Sequence, residues 1–155
     1  MELSPADFAA LADPQRLAVL EALMLVVYAD GKVTPEEIRR FDGLVSALPW
    51  GLEPPQLAAL IRETNGRMAH LSTAQSITDF VAGLAARLPS QELREKVLYT
   101  MARLADADGV FHPFEKNVLG LCTVSWNITS ERLALIKLAV ERAGAAERPP
   151  SPDAN

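Results

Sequence analysis

The chain has 155 residues, of which 49% are hydrophobic and 23% are charged, and its formal net charge is −5 at pH 7. This length fits a single domain with enough apolar side chains for a full core, which excludes wholesale disorder. The acidic balance, without any block of basic residues, disfavours nucleic acid and anionic lipid surfaces as partners.

Helix-start signals recur along almost the whole chain. Most combine a residue type favoured at a helix N-cap with proline or an acidic residue in the first turn. In chain order the signals fall at Ser4, Asp13, Thr34, Pro54, Ser72, Ser90, His112 and Thr129. Apolar residues follow each signal at spacings of three and four, which is the period of a helix that buries one face.

Stop signals and the lack of strand patterns complete the fold prediction. The sequences Pro-Trp-Gly at residues 49–51 and Asn-Gly at residues 65–66 predict the ends of the third and fourth helices. No stretch alternates apolar and polar residues with a period of two, so no strand is predicted. The pattern predicts an all-α fold, a compact bundle of seven or eight short helices. We expect one domain over residues 1–145 and a disordered, proline-rich tail over residues 146–155.

The hydropathy pattern bears on location. The longest strongly apolar stretch, residues 22–29, is too short for a bilayer, since a spanning helix takes about 20 residues. The first residues, Met-Glu-Leu-Ser-Pro, have neither the basic flank nor the apolar core of a secretion signal. We therefore expect a cytoplasmic protein that does not itself span a membrane.

The sequence contains an internal repeat, in which residues 20–48 align with residues 98–126 at an offset of 78. Six of the 29 aligned positions are identical, and five of these six fall in or next to one loop. Each copy of the loop reads Ala-Asp-Gly, three residues, proline, one residue and glutamate. The repeat predicts two helix-loop-helix units related by a pseudo-twofold axis.

Four acidic residues of the two loops are candidates for function. Asp30 and Asp108 follow helix C-termini, where exposed carbonyl groups disfavour an acid by up to about 1 kcal/mol. Either of two interactions would offset this cost: an Asx-turn to backbone N–H groups of the loop, or a bound cation. Glu37 and Glu115 each lie three residues after a capping position, so a capping box is the alternative reading for both.

The second loop resembles an EF-hand only superficially. Counted from Asp106, Gly109 is the fourth residue and Glu115 the tenth, whereas the calcium loop of an EF-hand needs glycine sixth and glutamate twelfth. The first copy has Tyr28 in place of Asp106. An EF-hand is therefore excluded.

The two loops together carry a family resemblance. Residues 28–37 read Tyr-Ala-Asp-Gly-Lys-Val-Thr-Pro-Glu-Glu, and residues 105–115 read Ala-Asp-Ala-Asp-Gly-Val-Phe-His-Pro-Phe-Glu. In this order, and in an all-helical chain of this size, they resemble the tellurite-resistance TerB-like family, whose domain also occurs at the N-terminus of some membrane-anchored J-domain co-chaperones. The likeness extends from about residue 17 to residue 140 and implies an all-helical fold with two acidic helix-loop-helix units.

The resemblance implies a stress-response or metal-sensing module whose acidic residues form one site. Carried over to this sequence, the predicted metal ligands are Asp30, Glu37, Asp108 and Glu115. Further candidates are Glu36, Asp106 and His112, each of which lacks a matching side chain in the other copy. Calcium or magnesium suits a set of oxygen ligands, while zinc would depend on the histidine. No organic cofactor is expected.

No arrangement of side chains in the sequence indicates catalysis. Cys122, the only cysteine, lies among apolar residues, and we expect a buried, unreactive thiol. His70 and His112 lack the spacing of a catalytic zinc site, and no glycine-rich phosphate loop is present. We therefore expect a protein that is not an enzyme.

Two functions stay open at this point. The first is a stress-response, tellurite-resistance-like module that binds a divalent cation through its loops. The second is a protein-interaction or scaffold domain whose loop acids only cap helices, with Trp50 and Leu52 in its partner surface. Under either function we expect a protein partner, whose identity the sequence does not indicate.

Overall fold

The computed structural model describes residues 1–28, 33–106 and 113–147, and the side chains of all of these except residues 28 and 113–115. Within these ranges the chain forms eight helices and no strand. The helices are α1 (Pro5–Ala9), α2 (Asp13–Tyr28), α3 (Pro35–Ala47), α4 (Pro54–Met68), α5 (Ala74–Arg87), α6 (Gln91–Ala105), α7 (Pro113–Ser125) and α8 (Ser130–Glu147). The predicted all-α bundle is confirmed. The pseudo-twofold axis and the limits of domain and tail stay predictions, and residues 148–155 lie outside the described ranges.

Helix α2 lies at the centre of the bundle. Every residue from 18 to 27 is buried, and nine of these ten are apolar. A helix that is apolar on all sides must be enclosed by other elements, and α2 contacts α3, α4, α5, α6 and α7. The helices of both predicted helix-loop-helix units are therefore positioned by their packing on or beside α2.

Glu21 is the one charged residue in this buried stretch of α2. Its side chain is 8% exposed, and it forms ion pairs with Arg87 of α5 and, at 3.7 Å, with Arg67 of α4. Burying a carboxylate is costly unless it is paired and hydrogen-bonded. The two arginines therefore fix which side of α2 faces α4 and α5.

Local capping signals predict most helix starts correctly. Ser4 and Asp7 form a reciprocal capping box on α1, with N–H to oxygen distances of 3.0 and 3.1 Å. The hydroxyl of Ser90 caps α6 by accepting from the N–H of Leu93 at 2.9 Å. The box predicted to begin at Ser72 lies one residue later, since the structure has Thr73 as the N-cap of α5.

The predicted stop at residues 65–66 is wrong, because α4 continues to Met68. Thr64 is fully buried, and Met68 packs against the core. The burial of these side chains outweighs the roughly 1 kcal/mol that a glycine costs inside a helix. Gly66 lies on the exposed side of α4 and ends no helix.

Both tryptophans belong to the core. Trp126 is fully buried, and its Nε1–H donates to the carbonyl of Val81 at 3.1 Å. Trp50 is 9% exposed, its Nε1–H donates to the carbonyl of Val45 at 2.7 Å, and its ring meets Phe8 edge-on. The assignment of Trp50 to a partner surface is therefore wrong, because its indole is used inside the protein. Leu52 is 42% exposed.

None of the helices in the described part of the chain is long and apolar enough to cross a membrane. This agrees with the prediction that the chain does not itself span a bilayer.

Replacing Glu21 with alanine should lower the free energy of unfolding by about 2–4 kcal/mol, since it leaves a partly buried guanidinium without its carboxylate. Urea denaturation followed by circular dichroism measures the loss. The control is Glu63→Ala on α4, whose side chain is 71% exposed and should cost less than about 0.5 kcal/mol. Equal losses for the two variants would show that the buried ion pairs do not hold the helices together.

The capping box at Ser4 and Asp7 predicts a pH dependence. The backbone N–H of Ser4 and the ammonium of Lys96, at 3.0 Å, lower the pKa of Asp7 from 3.8 to about 2. The folded-state pKa lies below the unfolded one, so this stabilisation is present above about pH 4 and lost as the pH falls toward 2. The free energy of unfolding, measured by urea denaturation at pH 5, 4 and 3, should fall less with decreasing pH for Asp7→Asn than for wild type or the exposed control Asp42→Asn. An equal fall for all three proteins would contradict the prediction.

Candidate functional site

The candidate site comprises the two units predicted from the repeat, α2 with α3 and α6 with α7. The loop residues 29–32 and 107–112 lie outside the described ranges, so the structure describes the site through the helix ends that flank these loops. Helix α3 contacts both α2 and α6, and α6 contacts α7. The two units therefore pack directly on each other.

The start of α3 holds the most unusual side chain of the site. Glu37 lies in the first turn and is fully buried. Its backbone N–H donates to the hydroxyl of Thr34 at 3.1 Å, and that hydroxyl lies 3.1 Å from the Oε1 atom of Glu37 and donates to it. Thr34 is therefore the N-cap of α3, as predicted. Its hydroxyl donates to the carboxylate of the glutamate, whereas in a standard capping box the backbone N–H of the N-cap residue does so.

The end of α6 holds the second described acid of the site. Asp106 is the C-cap of α6, is partly buried, and donates its backbone N–H to the carbonyl of Ala102 at 3.0 Å. An acid at a helix C-terminus meets the negative end of the helix dipole, where a cation is favoured. This part of the predicted site therefore has a negative potential.

Glu36 differs from its neighbour Glu37. It is exposed and forms an ion pair with Arg39 of the same helix, at 3.2 Å. Such exposed pairs contribute little to stability, so Glu36 stays available to solvent.

The remaining candidates are not placed. Asp30, Asp108 and His112 lie outside the described residues, and of Glu115 only the backbone, in the first turn of α7, is described. Among the side chains that the structure does describe, no group of three or more His, Cys, Asp or Glu is arranged to hold a metal ion. The four-carboxylate site therefore stays a prediction.

A set of charged side chains that the sequence analysis did not single out connects the two units. The guanidinium of Arg40, on α3, donates to both carboxylate oxygens of Glu147, at 3.3 and 2.5 Å. Arg103, on α6, donates to the Oε1 atom of Glu147, which also accepts from Nη1 of Arg40. Glu147 is the last residue of α8. One carboxylate thus joins α3, α6 and α8.

These ion pairs bring two of the described acids of the site, Glu37 and Asp106, to one end of the bundle. Arg40 lies three residues after Glu37, and Arg103 lies three residues before Asp106. Residues three apart on a helix are neighbours on its surface. Because both arginines reach a single oxygen of Glu147, the first turns of α3 and the last turn of α6 lie side by side.

The electrostatics of this set agree with its geometry. Hydrogen bonds from Arg40, and then from Arg103, lower the pKa of Glu147, although burial alone would raise it. Glu147 is therefore ionised at neutral pH and matches the charge of one arginine. Sequence reasoning missed the set because its members lie 107 and 44 residues apart, and no local pattern links residues at such separations.

Cys122 is fully buried, as expected from its neighbours in the sequence. Its burial raises the pKa of the thiol to about 12. The reactive thiolate form is therefore negligible at neutral pH, and Cys122 is not suited to act as a nucleophile.

Comparison with models of known protein families gives a match. A model of the family described as Tellurite resistance protein TerB matches residues 16–138 of the 155-residue chain. The matched range runs from within α2 to within α8 and includes both helix-loop-helix units. Comparison with curated proteins and with solved structures found no match.

Comparing the stability of two threonine variants measures what the bond between Thr34 and Glu37 contributes. Thr34→Val should lower the free energy of unfolding by about 2 kcal/mol, since it removes a helix cap and a donor to a buried carboxylate. Thr73→Val on α5 removes an exposed cap of the same kind and should cost only about 1 kcal/mol. Thr34→Ser should keep most of the stability. Equal losses at the two threonines, measured by urea denaturation, would mean that the carboxylate of Glu37 gains nothing from the hydroxyl.

Proposed function

The chain belongs to the tellurite resistance protein TerB family, and on that premise we propose that it is a tellurite-resistance-like, stress-response module that binds a divalent cation through its two acidic loops. In this proposal the protein is not an enzyme, needs no organic cofactor, and acts in the cytoplasm through a protein partner.

The complete burial of Glu37 is the observation that carries the proposal. Glu37 lies at the edge of the first loop, and the hydroxyl of Thr34 donates to its carboxylate and holds it in place. A carboxylate fixed in this way beside the loop is an oxygen ligand of the kind that calcium and magnesium take.

The ion pairs of Glu147 with Arg40 and Arg103 support a site shared by both units. They place the turn that carries Glu37 next to the turn that carries Asp106, through the reach of two arginines to one oxygen. A site assembled there would draw Asp30 from the first loop, with Asp108 and Glu115 from the second. Oxygen ligands of this kind suit calcium or magnesium.

The other candidates rank behind these ligands. Asp106 lies at a helix end with a favourable potential for a cation, and Glu36 is exposed in a weak ion pair with Arg39 at 3.2 Å, but neither has an acidic counterpart in the other copy of the repeat. His112 is the one residue of the set that would favour zinc.

Calorimetric titration tests the proposal. Chelator-treated protein is titrated with calcium, magnesium and zinc, beside a double variant Asp30→Asn, Asp108→Asn that retains its helical circular dichroism. The expected result is binding of at least one ion by wild type and a loss of about tenfold or more in the variant. Saturation at 100 times Kd should also raise the stability of wild type by about 2.7 kcal/mol.

A matched double variant, Asp42→Asn with Asp79→Asn, controls for the loss of two negative charges. Both residues are exposed and lie on α3 and α5 rather than in the loops. This control should bind as wild type does. The proposal fails if none of the three ions gives heat or a thermal shift, or if the two double variants lose affinity equally.

The hydrogen bonds between Thr34 and Glu37 support a second candidate function. Because Thr34 engages both the N–H and the carboxylate of Glu37, the glutamate already serves as part of a helix cap. If no ion binds, we propose a protein-interaction or scaffold domain whose loop acids cap helices. Exposed leucines on α8, Leu135 and Leu138, are then the first positions to vary in a search for the partner surface.

A further inference from the structure

We propose that Arg40 and Arg103 form a binding site for an oxyanion of the phosphoryl class, and that Glu147 occupies this site from within the same chain. The inference goes beyond the cation proposal and does not depend on it, because it concerns a ligand of opposite charge and uses no loop acid.

Two guanidinium groups from different helices converge on one carboxylate. Arg40 of α3 and Arg103 of α6 are 31% and 11% exposed, and together they make three hydrogen bonds to Glu147. Planar guanidinium groups bind carboxylates and phosphates through paired N–H donors. The pair is therefore arranged as such a site, with one carboxylate in it.

The carboxylate of Glu147 does not use all the N–H donors of the two arginines. Each guanidinium has five N–H donors, and within the described part of the chain Nη1 of Arg103 is buried without a hydrogen-bond acceptor. The two guanidinium groups carry two positive charges, whereas the carboxylate that they bind in common carries one negative charge. Leaving such a donor unmet is unfavourable, so a group with more oxygens and more charge would fill the site better.

Apart from these ion pairs, little holds Glu147 in place. Its side chain is 49% exposed, and it ends α8, where the helix dipole disfavours a negative charge. The preceding residues, Gly144, Ala145 and Ala146, have little side chain to bury. The last turn of α8 therefore depends mainly on these ion pairs and can open locally without disturbing the core.

A phosphoryl group fits these three features. It offers at least three oxygens, so each arginine can form its own pair of bonds instead of sharing Oε1 of Glu147. Its charge balances both guanidinium groups. The group is either inorganic phosphate or a phosphorylated side chain of a partner, and titration with the ion and with a phosphopeptide distinguishes these two sources.

The first test measures the binding of inorganic phosphate at constant ionic strength. Glu147→Gln removes the internal competitor and should bind phosphate about tenfold more tightly than wild type. Glu141→Gln is the matched control, since it removes one exposed carboxylate from the same helix that forms no ion pair among the described residues. The double variant Arg40→Gln, Glu147→Gln should lose the gain. Equal phosphate binding by Glu147→Gln and Glu141→Gln would overturn the proposal.

The second test uses the wild-type protein and does not depend on how any variant folds. Amide hydrogen exchange of residues 143–147 is compared in phosphate and in chloride of equal ionic strength. Phosphate should displace Glu147 and accelerate exchange in this turn, while the amides of α2 stay unchanged. The same exchange rates in both salts would count against the proposal as directly as a failed titration.

The third measurement identifies the source. A peptide with one phosphoserine in an otherwise neutral sequence is titrated into Glu147→Gln, beside its unphosphorylated form. Affinity equal to that of inorganic phosphate assigns the site to the ion, and affinity at least tenfold tighter assigns it to a phosphorylated partner. If neither the peptide nor phosphate binds, the site does not exist.

Discussion

The burial of α2 on all sides is the constraint on which the rest of the structure depends. Since residues 18–27 leave no face for solvent, five helices must surround α2, and few arrangements of short helices can do so. Glu21 restricts these arrangements further. Its carboxylate must meet Arg67 and Arg87, which fixes the rotation of α2 and the sides on which α4 and α5 pack.

Much of the fold could be predicted from the sequence because helix starts are local. A cap such as Ser90 bonds the N–H only three residues later, so its signal lies within a few residues. The end of α4 was not predictable, because the contacts that keep α4 helical beyond Asn65 come from the folded core. The ion pairs of Glu147 were not predictable for the same reason, because Glu147 and Arg40 are 107 residues apart in the sequence.

The candidate site was predicted only in part for a related reason. The repeat identifies which acids correspond, since the same residues recur at one offset in the sequence. It does not indicate which acid is buried. Glu36 and Glu37 are adjacent, yet Glu36 is exposed and Glu37 is enclosed, because neighbouring positions on a helix point about 100° apart. Packing of α3 on α2 and α6 decides between them.

The burial of α2 also has a consequence for synthesis. The helix is complete at residue 28, but α6, which covers it, ends only at residue 105, and α7 follows later still. At about 5–20 residues per second, the ribosome needs roughly 4–15 s to make this intervening stretch. During that interval α3, α4 and α5 are made in turn, but the ten residues that the folded protein buries still lack the complete set of helices that covers them. The nascent chain is thus most vulnerable to aggregation, and most attractive to ribosome-associated chaperones, at α2.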